Sequence, residues 1–219
     1  MYAAENNKGG LPAFGIPPGY GANAWDVGTN MVPSLAPYGL TVPMWFCPTR
    51  PAEFSEANTW MHTHYNRFIT GISDLNIYLT SRYPNGEAIV NHNYWVKRAG
   101  GPDPAGFFPY GAGPNAQFAL SDGNRLGWPS KTSDLSVSIV PFVSDQCYSG
   151  YGTTPDTNLA SINISAATAP SAGKSSGHVY AGILQGANLA FVDGHVEHRQ
   201  RLKLQGQYFG DSGQACWFY

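Results

Sequence analysis

The stretch "GANLAFVDGHVEHR", residues 186–199, decides how the second half of the chain folds. Its Asp193-Gly194 step stands between two short apolar runs. That pattern predicts a β-hairpin closed by a two-residue type I′ loop, in which both central residues take positive φ. Val192 then faces His195, Phe191 faces Val196, Ala190 faces Glu197 and Leu189 faces His198. Because side chains alternate along a strand, Leu189, Phe191 and Val196 should share the core face. His198 falls on that face near the strand's end. His195 and Glu197 fall on the other, with Ala190 and Val192.

The same stretch raises a chemical question. Asp193, His195 and Glu197, with His178 upstream, are all metal-ligand types. Zinc needs three or four convergent ligands, and strand geometry places only His195 and Glu197 side by side. The turn reading is therefore preferred, with Asp193, His195 and Glu197 kept as metal candidates. Calcium wants a carboxylate-rich loop; Asp211 in "FGDSGQ" is available, but no D-x-D-x-D-G pattern exists. His62 and His64 in "MHTHY" point in widely different directions on a helix, whereas a helical metal pair needs i, i+4. They read as surface or partly buried histidines, and His92 in "NHNYW" as a hydrogen-bonding strand residue.

Working outward, "PAEFSEANTWMHTHYNRF" from Pro51 and "SDLNIYLTSRYPNG" from Ser73 are helical. Pro51 suits a first helical turn and Ser73 an N-cap. Leu75, Tyr78 and Leu79 share one face. Residues 1–45 are dense in glycine, proline and tyrosine and read as an ordered loop pinned by aromatics, with one short helical turn. "MWFCP" (44–48) suits a brief strand. Strands are expected at 88–96, 116–120, 136–144, 178–184, 188–192 and 195–199, with long loops at 98–115 and 153–177. Helices first and antiparallel strands afterwards make an α+β fold.

Composition narrows the function. Charged residues are 12% of the chain, about half the usual share. The net charge of −2 and the lack of a basic run exclude a nucleic-acid partner bound through phosphate neutralisation. No run of eighteen apolar residues spans a membrane. Cys47, Cys147 and Cys216 lie far apart without a C-x-x-C pair, leaving open one disulfide and a thiol, or three buried thiols. "AGKSSG" (172–177) lacks the first glycine of a phosphate loop, since Thr168 stands there. Ser175 sits in a formal G-x-S-x-G without the strand and helix of a nucleophile elbow. "NIS" (163–165) fits a glycosylation sequon by chance as easily as by use. Trp25, Trp45, Trp60, Trp95, Phe107, Phe108 and Tyr110 could line a sugar cleft or pin loops, and pinning is favoured.

Several of these pieces coincide in one family. "MYAAENNKGGLP" resembles the segment after the hydrophobic N-terminal helix of prepilin-like, type II secretion pseudopilin proteins. "FCPTRP", with Cys47 and Pro48, looks like the Phe-x-Cys-Pro element of one large branch, without its intervening residue. "SIVPFVSDQ" is similar to that branch's strand ending in an aspartate, here Asp145. The C-terminal signature resembles His-x(n)-Gly-x-Asn-x-x-Phe-x-Asp-Gly-x-Val at His178, Gly186, Asn188, Phe191, Asp193, Gly194 and Val196, with His195 in the variable place. Fourteen residues lie between His178 and Asp193 where the family has nine.

The resemblance implies one pilin-like domain over 1–219: the end of a truncated helix at 1–10, a loop and helical region at 11–87, and mainly antiparallel sheet at 88–219. It implies a non-catalytic structural subunit of a type II secretion or type IV pilus-like filament, extracytoplasmic, with other pilin-like subunits as partners. A preceding hydrophobic helix would anchor it in the inner membrane. No cofactor follows; calcium, which related major pseudopilins hold in a C-terminal loop, is not carried over. The alternatives are an extracellular carbohydrate-binding or adhesin module and a metal-dependent hydrolase.

Overall fold

The computed structural model describes residues 9–12, 14–17, 23–48, 50–96, 98–99, 107–108, 129–149, 178–180, 183–210 and 215–219. Residues 1–8 of the helix end expected at 1–10, the strand at 116–120, most of the 98–115 loop, the 153–177 loop with Ser175 and Asn163, and Asp211 lie outside them; Gly10, at the end of that expected helix, instead bridges to Lys131.

Within the loop expected over 1–45, β1 (Asp26–Gly28) and a short helix α1 (Met31–Leu35) form, followed by 3-10 turns at Ala36–Tyr38 and Val42–Trp45. The last of these corrects the brief strand expected in "MWFCP". Pro43 stands in its first turn, where a fixed φ suits helix and a missing N–H would cost a strand its ladder bond. Helices α2 (Pro51–Tyr65) and α3 (Ile72–Arg82) fall where the sequence puts them. Pro51 opens α2, and Asn66 closes it in the left-handed conformation with φ 52°. The start of α3 is corrected from Ser73 to Gly71. There the Asp74 carboxylate accepts from the Gly71 N–H at 3.2 Å, the Thr70 N–H at 3.0 Å and the Thr70 hydroxyl at 2.8 Å. A carboxylate three residues into the helix thus reaches back to the N–H of the N-cap, the half of a capping box that needs no serine.

Leu75 and Leu79 of α3 meet Ala57 and Met61 of α2, Met31, Val32 and Leu35 of α1, and Val42 and Trp45 in one buried apolar cluster. Trp25 and Trp95 are also buried, edge-on to Tyr148 and Tyr219 respectively. These two pin the core, and Trp45 belongs to the apolar cluster while also bordering a cavity with Phe46, Leu75 and Leu79.

The strand expected over 88–96 is two strands serving two sheets. β2 (Glu87–Ile89) pairs with β1, and β3 (His92–Tyr94) pairs with β6 (Val143–Asp145). The strand expected over 136–144 shrinks to β6, because Pro141 interrupts it and Leu135–Ser138 form a 3-10 turn. The run 178–184 is a hairpin rather than one strand: β8 (His178–Tyr180) folds back on β9 (Ile183–Ala190). Together with β10 (Val196–Gln200), these form an antiparallel sheet ordered β10-β9-β6-β3, with β8 beside β6 on the same edge of β9. Within the loop expected at 98–115, β4 (Arg98–Ala99) pairs with β5 (Phe107–Phe108). Two strands the sequence reading missed, β11 (Gly206–Gly210) and β12 (Ala215–Phe218), join β7 (Tyr148–Ser149) in a second sheet. The fold is α+β, with antiparallel sheets.

The hairpin of the opening stretch forms, but one residue out of the expected register. Val196 pairs with Ala190, Glu197 with Leu189 and His198 with Asn188. The loop has three residues, Val192 to Gly194, inside a Phe191 N–H to His195 O bond of 3.0 Å. Gly194 takes φ +94°, and its N–H donates to Phe191 O at 3.1 Å, the geometry of a type I turn with a glycine bulge. Asp193 avoids the positive φ that a type I′ turn demands. Its carboxylate instead accepts the His195 backbone N–H at 3.2 Å. A one-residue slip exchanges faces on one strand. Leu189 and Phe191 are buried as expected, whereas Val196 is 71% exposed and His198 leaves the core side.

Candidate functional site

The slip in register gathers a polar junction. β6 and β8 meet β9 end to end, β6 pairing through Leu189 and β8 through Gly186. Asn188 lies between them, and the Asp145 carboxylate at the end of β6 accepts its backbone N–H at 2.7 Å. A side chain thus fills the gap where the ladder changes strands. The same carboxylate oxygen lies 3.1 Å from His178 Nε2. The Asn188 amide sits between two imidazoles, Nδ2 3.0 Å from His178 Nε2 and Oδ1 2.9 Å from His198 Nδ1.

Gly186 makes room for this. A Cβ there would lie 2.3 Å from the Arg199 carbonyl oxygen and 2.9 Å from His198 Nε2. Absence of a side chain lets β10 close on β9 and lets His198 lie across it.

Cys47 approaches from the other half of the chain. Its sulfur, an Asp145 carboxylate oxygen and a His178 ring nitrogen all lie within 4.8 Å of one another. Cys47 is 2% exposed, while the His178 side chain keeps 27% of its surface. Beneath the junction, Arg50 pairs with Glu53 at 3.1 Å and donates to Gln146 Oε1 at 3.2 Å and Asn91 O at 2.9 Å. Gln146 in turn donates to Val90 O at 2.7 Å.

Electrostatics follow burial and partners. Burial pushes the Asp145 carboxyl upward, but the bonds from His178 and the Asn188 N–H outweigh it and hold it below the usual range. The bond to Asp145 raises His178 against the opposing effect of its partial burial. His92, paired with Asp145 across β3 and β6, is pushed down to about 4, chiefly by burial, and is neutral at pH 7. Glu53 is pushed up to about 7 by burial, with Arg50 pulling the other way.

The metal candidates at the hairpin tip fare differently. Asp193 Oδ1 lies 2.6 Å from His195 Nδ1, and the His195 ring stacks on Phe191 at 4.0 Å. Glu197 is engaged by Arg199 through two bonds of 3.2 Å. Among the described residues, Asp193, His195 and Glu197 form no cluster that could hold a metal; Cys47, Asp145 and His178 form one. The sequence elements noted separately as Cys47, Asp145, His178, Gly186 and Asn188 thus converge, while Pro48 is exposed beside Cys47. His198 was missed as a member because the expected register turned it toward the core. Cys47 and Cys147 are buried thiols, and the Cys216 side chain lies outside the description.

A cleft of about 250 Å³ between α2 and α3 is lined by Trp60, Tyr78, His64, Glu56 and Arg82. Trp60 stacks on His64 and meets Tyr78 edge-on. Of the aromatics weighed for a sugar platform, only Trp60 among the described side chains lines this cleft.

Comparison of the chain with protein-family models, curated proteins and solved structures returned no match.

Proposed function

We propose that the chain is a structural, pilin-like subunit of a secretion or pilus-like filament outside the inner membrane, and that it performs no catalysis. One observation carries the reading. The signature residues that suggest the family, His178, Gly186 and Asn188 with Asp145, are used at a single place to join β6, β8 and β9. Phe191, Asp193 and Gly194 close the hairpin that follows. A signature used in building a sheet suits a scaffold whose task is to keep its shape inside an assembly. The partners under this reading are further pilin-like subunits.

The test is to isolate surface or periplasmic filaments from the source cells and label them with antibody to this chain. Labelling along filaments, together with a prepilin leader upstream in the gene, supports the proposal. A protein spread evenly in the soluble fraction, with an ordinary secretory leader, would sink it. The carbohydrate-binding alternative now rests on the Trp60 cleft, and specific retention on a glycan array would favour it.

A further inference from the structure

Cys47, Asp145 and His178 offer a thiol, a carboxylate and an imidazole around one point. We infer that these three side chains bind a single divalent metal ion of borderline softness, zinc being the ion that fits. The fourth position is left to water on the side where His178 reaches solvent. This site shares Asp145 and His178 with the junction behind the filament reading, yet it would exist in a scaffold of any function, so its test can fail while that reading stands.

Geometry supports it first. Tetrahedral zinc holds nitrogen and oxygen ligands at about 2.0–2.2 Å and sulfur at about 2.3 Å. Ligands at those distances lie a little over 3 Å apart around the ion, and His178 Nε2 and Asp145 Oδ2 are 3.1 Å apart. Cys47, within 4.8 Å of both, needs only a small inward movement.

The donors are also held before any ion arrives. The Cys47 carbonyl accepts the Arg50 N–H at 3.0 Å at the entrance to α2. Asp145 is set by the ladder to β3 and by the Asn188 N–H. His178 is set by the pairing of β8 with β9 at Gly186, beside an Asn188 amide braced by His198. Outer partners that fix ligand orientation are a regular part of metal sites.

Chemistry then selects the ion. Thiolate with imidazole suits zinc and its neighbours, whereas calcium and magnesium require oxygen donors throughout. Thiolate and carboxylate together balance a dication. On binding, the Cys47 thiol and any protonated His178 release their protons to solvent, because only the deprotonated forms ligate. A nucleophilic role for Cys47 fits less well: the thiol is 2% exposed, and the His178 Nε2 that would take its proton already faces Asp145.

The experiment uses the whole 219-residue chain, stripped with chelator and titrated with cobalt(II) chloride. A thiolate-to-cobalt charge-transfer band in the near ultraviolet is expected, saturating at one ion per chain and bleached by zinc. Cys47→Ser should abolish the band, while Cys147→Ser and Cys216→Ser keep it. Asp145→Asn and His178→Ala should weaken cobalt binding at least about 10-fold, the loss that outer-sphere changes alone can cause. Far-ultraviolet circular dichroism on each variant separates lost binding from lost folding, and His178, the most exposed of the three ligands, is the variant least dependent on packing. No band in the wild-type chain overturns the site. So does a band that survives Cys47→Ser, or unchanged affinity in folded His178→Ala.

Discussion

Under the helices, Met61, Leu75 and Leu79 pack with Met31, Val32 and Trp45 by apolar contact alone. At the junction of β6, β8 and β9, Asp145, His178, Asn188 and His198 are joined by directional bonds. The first region is non-directional, so its strength scales with the area buried. The second depends on a few atoms being in place, and its central position is a glycine. Removing atoms should therefore damage the core, and adding one should damage the junction.

Met61→Ala tests the core most severely. Met61 is fully buried, and truncation of such a side chain costs about 2–5 kcal/mol through lost transfer energy and a cavity. Urea denaturation should show that loss at unchanged slope. A loss below about 1 kcal/mol would mean the cluster collapses around the gap.

Glu53→Gln probes the charged layer between the two regions. The Glu53 carboxyl is raised from 4.5 to about 7, so the folded state holds a proton that the unfolded state gives up. Stability from this group is full below pH 4.5 and is lost as pH rises through about 7, a change on the order of 3 kcal/mol. The glutamine variant should flatten that part of the stability–pH curve. An unchanged slope would show that Glu53 is ionised alongside Arg50 throughout.

Gly186→Ala adds one methyl group to the junction. With the Arg199 carbonyl oxygen 2.3 Å from the new Cβ, β10 must shift, at about 1–3 kcal/mol. His198 should lose its bond to Asn188, visible as a change in its imidazole NMR shifts. If both stability and the His198 signals stay put, the junction is looser than the core, and the contrast between the regions weakens.

Asp74→Ala, on the surface, should have the smallest effect. It removes the acceptor for Thr70 and Gly71 at the start of α3, at about 1 kcal/mol. Thermal unfolding should shift by a few degrees, with neither region's spectroscopic signals altered.

Much of this architecture is legible from local pattern. Periodicity and stop signals mark α2 and α3, and Leu75 and Leu79 are buried where the helical face places them. The Asp-Gly step marks a hairpin, and that hairpin exists. Its register is not legible, because two- and three-residue loops share the Asp-Gly signal, and they differ in backbone φ and bonding that the two residue names do not specify. The single residue of difference moved Val196 out to solvent and brought His198 to Asn188.

Sequence by itself determined the α+β class, the two helices α2 and α3 and the existence of the Asp-Gly hairpin, while the separate marks at Cys47, Asp145, His178, Gly186 and Asn188 came from a resemblance. Local propensity and side-chain period act over a few residues, and these features need no more. Only the tertiary structure decided that the marks meet. Their meeting depends on β6 and β8 sharing one edge of β9 and on the turn before α2 docking beneath them. Such long-range pairings are fixed by packing and register between distant segments, and no local pattern encodes them.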